Sequence, residues 1–177
     1  ATVRVQKPGE DGYDRRIAAM KPDFVLVRHW GGLMHFASHD DGAEVHGDFS
    51  LNVTNSVTAH HVLALGAATF TAAHDLDEQQ LHALLRRVPA DRVTVDVHHH
   101  IPTFHTEHCV YAHLLSGGRD WRTCGRPCER HQVALRDVHG LEHPVIVDVG
   151  CRNTVFNAQA QSAAPQPAAA ASSAKDK

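Results

Sequence analysis

Within the first hundred residues, short apolar runs recur between helical patterns at a spacing that no hairpin can satisfy. Phe24-Val25-Leu26-Val27 reads as a strand, preceded by a helical pattern from Tyr13 to Met20. Phe49-Ser50-Leu51-Asn52-Val53 reads as a second strand. It leads into Ser56–Gly66, a segment with a Ser/Thr start and a Gly stop, the pattern of a helix. Ala68-Thr69-Phe70-Thr71 is a third strand. Asp77 then caps a helix to Arg87 whose buried stripe is Leu81, Leu84 and Leu85, and Pro89 closes it. Arg92 to Val97 is a fourth strand. Strand–helix–strand at this spacing requires parallel pairing through right-handed crossovers, so the fold class is α/β.

From His98 onward the pattern changes. Pro102, Gly117-Gly118, Gly125, Pro127, Gly140, Pro144 and Gly150 punctuate the chain. Val133–Asp137 and Pro144–Asp148 form a short antiparallel pair joined at His139-Gly140. The expected organisation is therefore βα units over 1–100, a cysteine-bearing region over 101–160, and a disordered Ala/Pro tail over 161–177. At 177 residues with a net charge of −3, the chain has no overall basic field to advertise nucleic acid. Its apolar stretches are too short to span a bilayer, and no signal peptide opens it, so the expected location is cytoplasmic with no membrane partner. The initial Ala suggests a processed or truncated product. Histidine is abundant, at 17 residues. His35, His39, His46, His60, His61 and His82 fall in turns or on polar helix faces, where an imidazole needs no partner.

The only cysteines are Cys109, Cys124, Cys128 and Cys151, separated by fourteen, three and twenty-two residues. Each neighbours Gly, Arg, Glu or His rather than an apolar run, which argues against simple burial. Disulfides need an oxidising compartment that nothing here indicates. Four thiols on loop-like sequence suit a tetrahedral zinc or an iron–sulfur cluster. Zinc favours two Cys-x-x-Cys knuckles and a cluster tolerates irregular spacing; spacing alone leaves both open.

TEHC, the CGRPC pair, VALRD followed by GLEHP, and GCRNTVFNAQAQS resemble the family named for collagenase-like peptidases, with the closest likeness to its RlhA-type branch of ribosomal RNA hydroxylases. Leu26-Val27-Arg28, Asp48–Asn55 and Asp75-Leu76 resemble the barrel of the same family. The resemblance spans roughly residues 3–161. It implies a TIM-type barrel and a four-iron four-sulfur cluster held by Cys109, Cys124, Cys128 and Cys151. It also implies oxygen-independent hydroxylation of RNA pyrimidines, with prephenate as hydroxyl source, or of ubiquinone precursors. Four strands match only the second half of such a barrel, so this chain is expected to be a half-barrel. Its two exposed sheet edges favour self-association.

Barrel enzymes place their chemistry at the C-terminal ends of strands. Those ends carry Arg28 and His29, Asn52 and Asn55, His74 and Asp75, and His98 and His100. Arg28 can clamp an anionic donor such as prephenate. Asn52 and Asn55 can hydrogen-bond a base edge, although Asn also stabilises strand-to-helix turns unaided. His100, Glu107 and His108 lead into Cys109 and can move protons or bond to cluster sulfurs. Arg126 and Arg152 beside cysteines can offset cluster charge, whereas Arg119, Arg122 and Arg130 can grip RNA phosphates. Two rival functions remain. A metal-dependent hydrolase would use the His98-x-His100 pair with His105 and His108, but no carboxylate stands as third ligand and no HExxH occurs. The other is a non-catalytic, metal-stabilised RNA-binding module.

Overall fold

The structure is a computed structural model that describes residues 1–38 and 42–163. His39 and the tail from 164 onward lie outside the described residues. Four parallel strands form the first sheet: β1 (Phe24–Val27), β2 (Glu44–Gly47), β3 (Thr69–Thr71) and β4 (Val93–Thr94), hydrogen-bonded in sequential order. The helices are α1 (Gly12–Ala19), α2 (Trp30–Ser38), α3 (Ser56–Ala64) and α4 (Glu78–Leu85), and Phe70, Val25, Val27, Leu33, Leu51 and Val62 are buried between the layers. The α/β class and parallel pairing thus hold.

The local signals act as their chemistry dictates. The Asp77 side chain accepts the Gln80 N–H while the Gln80 side chain accepts the Asp77 N–H, a complete capping box at α4. Gly66, at φ 109°, ends α3 where a Cβ would press on the Ala37 methyl.

One expected strand is corrected. Phe49–Leu51 is a turn of 3₁₀-helix and the second strand is Glu44–Gly47. Its Glu-Val-His-Gly sequence has one strong apolar residue, so propensity hides it; pairing on both sides imposes it. The fourth strand is also shorter than Arg92–Val97, and α2, with Gly31 and Gly32 inside it, carries weak helix propensity.

The remainder departs from the parallel pattern. β5 (His98–His99) pairs with β10 (Gln161–Ser162), and β6 (Pro102–Thr106), β7 (Val133–Arg136), β8 (Glu142–Val147) and β9 (Asn153–Phe156) make an antiparallel sheet in the order β6-β9-β8-β7. The β7–β8 hairpin is the pair expected from sequence. Helix α5 (Val110–Leu115) packs on this sheet through Tyr111, whose hydroxyl donates to the Val145 carbonyl at 2.7 Å. The outer edge of β1 is partly occupied: Thr2 donates its N–H to the Leu26 carbonyl at 3.0 Å, and its hydroxyl accepts the Arg28 N–H. This N-terminal segment also carries Lys7 and Glu10 to the antiparallel sheet.

Candidate functional site

Two pockets concentrate the reactive side chains, and β6 joins them. The first, of about 440 Å³, is formed by the segments after β2 and β3 and by the start of β6; Arg4, Phe49, Asn52, His74, Phe104 and His105 face it. The 3₁₀ turn at Phe49–Leu51 ends on Asn52 in the left-handed region (φ 60°), which the short amide side chain tolerates. A β-irregularity between Pro102 and Phe104 turns β6 toward the same space.

Of the expected strand-end residues, Asn52 lines this pocket, whereas Arg28 and Asn55 do not. Arg28 donates from Nε to Asp48 at 3.3 Å, and Ser50 donates to that same carboxylate oxygen at 2.8 Å. The cation that lines the pocket is Arg4, its guanidinium 5.0 Å from the Phe49 ring centroid. Burial, then the nearby Arg28 charge, lowers the proton affinity of Arg4. No motif marks Arg4; the pairing of Thr2 with β1 brings it there. Asn55 is the N-cap of α3 and accepts the Thr58 N–H at 3.0 Å. His100 is exposed, with Nδ1 2.7 Å from the Asn157 carbonyl, and lines neither pocket. His105 has Nδ1 2.9 Å from the Thr154 hydroxyl, while its buried Nε2 has no partner. Burial and then the Arg4 charge hold this imidazole toward its neutral form.

The second pocket, of about 470 Å³, is lined by Lys7, Glu107, Arg119, Cys109, Cys124 and Cys151, among others. Each thiol is set by a local device. Cys109 precedes α5, where the buried Asn153 side chain accepts the Val110 N–H at 3.0 Å. Cys124 follows a turn in which Asp120 accepts the Arg122 and Thr123 N–H groups, both at 3.0 Å. An added Cβ on Gly118 would overlap the Thr123 carbonyl, so this turn depends on glycine. Cys128 sits in the 3₁₀ turn Pro127–Glu129 and packs with Cys109 on the Tyr111–Val145–Val155 cluster. Cys151 is left-handed at φ 62°, held by Asp148, whose Oδ1 accepts the N–H groups of Gly150 and Arg152. All four thiols are free and half-buried. Burial, then the charges of Cys109, Cys124 and Cys128, push the Cys151 thiol up. The four sequence-distant cysteines therefore share one neighbourhood.

Arg152 is 1% exposed and spans the two sheets' connection: Nε donates to Glu107 at 2.8 Å and Nη2 to Glu10 at 2.6 Å. Burial opposes its charge, but the two carboxylates more than offset it and its pKa rises. Glu107 also pairs with Lys7. Hydrogen bonds from Lys7 and then Arg152 hold the Glu107 carboxyl below its usual range. Arg126 is exposed and ion-paired with Glu129 at 3.0 Å, and Arg130 donates to the Gly125 carbonyl at 3.1 Å. Comparison with protein-family models, with curated proteins and with solved structures returned no match.

Proposed function

We propose that this chain is the cluster-bearing half of an oxygen-independent hydroxylase acting on pyrimidines of ribosomal RNA, with Cys109, Cys124, Cys128 and Cys151 holding a four-iron four-sulfur cluster. The convergence of these four thiols carries the reading. Cys109, Cys124 and Cys151 line one pocket, and the charges of Cys109, Cys124 and Cys128 all act on Cys151, so the four thiols approach one centre. A cluster takes one thiolate at each iron, and the resemblance to the hydroxylase family favours it over zinc. When bound, such a cluster would supply one-electron redox chemistry.

The sequential parallel order of β1 to β4 is the order of a βα barrel, which supports a half-barrel reading. The chain's own residues divide the remaining work. Arg4 attracts an anionic donor such as prephenate, and Arg28 adds positive field from behind its Asp48 pair. Asn52 offers a donor and an acceptor to a base edge, and Phe104, 59% exposed, offers a stacking face. His105 Nε2 stands ready to accept or release a proton at the pocket wall. Glu107 and Arg152 position the segment that enters Cys109. Exposed Arg119, Arg122 and Arg130 suit RNA phosphates. Phe24, 64% exposed on β1, marks a face available for self-association.

The deciding experiment is anaerobic purification with iron, sulfide and zinc analysis. The cluster predicts a brown protein with about four irons, lost in Cys124→Ser. A colourless protein with one zinc replaces this reading with the metal-stabilised RNA-binding module. Hydroxylation is tested by restoring the modified pyrimidine in cells lacking the parent enzyme; failure by this chain alone confines it to cluster and RNA binding. Release of peptide fragments from gelatin would instead favour the collagenase-like peptidase or metal-dependent hydrolase alternative.

A further inference from the structure

A third group of donors lies apart from the thiols, at the C-terminal side of β3 and β4. His74 follows β3, Asp96 follows β4, and His99 lies in β5; one donor atom from each falls within 4.8 Å of the others. His74 Nε2 is 2.8 Å from Asp96 Oδ2. A carboxylate only accepts, so in the metal-free protein Nε2–H donates to it and Nδ1 stands outside this pair. That Nδ1 is buried without a partner, as are both ring nitrogens of His99. Three unpartnered imidazole nitrogens beside one carboxylate are unusual, because buried polar atoms normally find hydrogen bonds.

The surroundings order these rings. His74 stacks between Phe49, at a centroid distance of 4.0 Å, and His99, at 4.2 Å. Neither His98 nor His100 belongs to the set: both are exposed, whereas His99 is half-buried. The carboxylate that a metal-dependent hydrolase would lack by sequence spacing is supplied by Asp96, across the strands.

We propose that His74, Asp96 and His99 bind one divalent first-row transition metal ion. Two imidazoles and one carboxylate are the donor set that such ions take with coordination positions left open. On binding, the ion replaces the proton that His74 Nε2 shares with Asp96 Oδ2, 2.8 Å away, and that proton leaves to solvent or moves to Nδ1. The two histidine rings, now tilted by 23°, must splay further so that both lone pairs aim at a single point. Because His74 also lines the first pocket, water or an oxygen ligand on the ion would reach that space. This site is independent of the four-thiol centre and stands whether that centre holds a cluster, zinc or nothing.

The test is an anaerobic titration of the reduced full chain with Co²⁺. Thiolate-to-cobalt absorption reports ions on the cysteines, and paramagnetically shifted imidazole proton resonances report an ion on histidine. The expected result is one cobalt with shifted imidazole signals and no thiolate band of its own. That cobalt is weakened at least about tenfold in His99→Gln and in Asp96→Asn and kept in His100→Gln. Asp96→Asn retains the shape of its side chain, and an unchanged metal-free melting profile shows that each variant is folded. Absence of shifted imidazole signals in the parent protein at millimolar Co²⁺ overturns the proposal. So does retention of those signals in folded Asp96→Asn and His99→Gln; the three residues are then a stacked, hydrogen-bonded brace only.

Discussion

The parallel sheet and the antiparallel, cysteine-bearing sheet of this chain are stabilised by different means. Among the described residues, the first buries a cluster running from Val25 through Leu33, Phe36, Leu51, Val62 and Phe70 to Val88. Among the described residues, the apolar cluster of the second has only Tyr111, Val145 and Val155 as buried members. A cluster of three apolar side chains does not offset the chain entropy of sixty ordered residues, so that region needs a staple. Four half-buried thiols, three of them lining one pocket, and a buried arginine tied to the N-terminal segment are what it has. Apolar bulk in the first region gives way in the second to ion pairs and, on the proposed reading, to an inorganic cross-link.

The strongest way to break this comparison is to remove the proposed inorganic centre. Chelation, or Cys151→Ser, is expected to abolish slow amide exchange across residues 101–160 while that of β1 to β3 persists, because metal-binding energy is folding energy in a region with so little core. Uniform loss of protection would show that the two sheets unfold as one unit.

The converse test is Phe70→Ala. Phe70 is fully buried on β3, and its truncation should cost about 3–5 kcal/mol by denaturant unfolding, with metal content unchanged. Arg152→Met probes the join between the regions. It leaves Glu10 and Glu107 without their shared cation and should cost about 3 kcal/mol, the low end for a broken buried pair because Glu107 is half exposed. Both carboxyls have their folded pKa depressed, Glu107 by hydrogen bonds from Lys7 and Arg152. Glu10 is depressed too: burial opposes this, but the Lys7 N–H and Arg152 outweigh it. Their stabilisation is therefore present above the unfolded-state carboxylate range and is lost as pH falls through the lower folded values. Arg152→Met should flatten that acid limb in unfolding curves taken at successive pH values. The smallest effect is Asp77→Ala, which opens the α4 capping box and should cost about 1 kcal/mol with no change at either pocket.

The helices around Ser56 and Asp77 and the hairpin at His139-Gly140 were legible because their signals are local: a cap, a stop, a turn. Strand β2 and helix α2 were not, since Glu44–Gly47 and the glycine-bearing Trp30–Ser38 take their conformation from neighbours rather than from propensity. The same division runs through the site. Thiol number and chemical type were visible in the chain, as was the α/β alternation, because both depend on residue identity and short-range period. Tertiary structure alone decided that Arg4 rather than Arg28 lines the strand-end pocket, that Asn55 serves as a helix cap, and that Asp96 and His99 meet His74. Such meetings depend on which strands lie side by side and which way each side chain points, and neither is encoded within a few residues of the groups concerned.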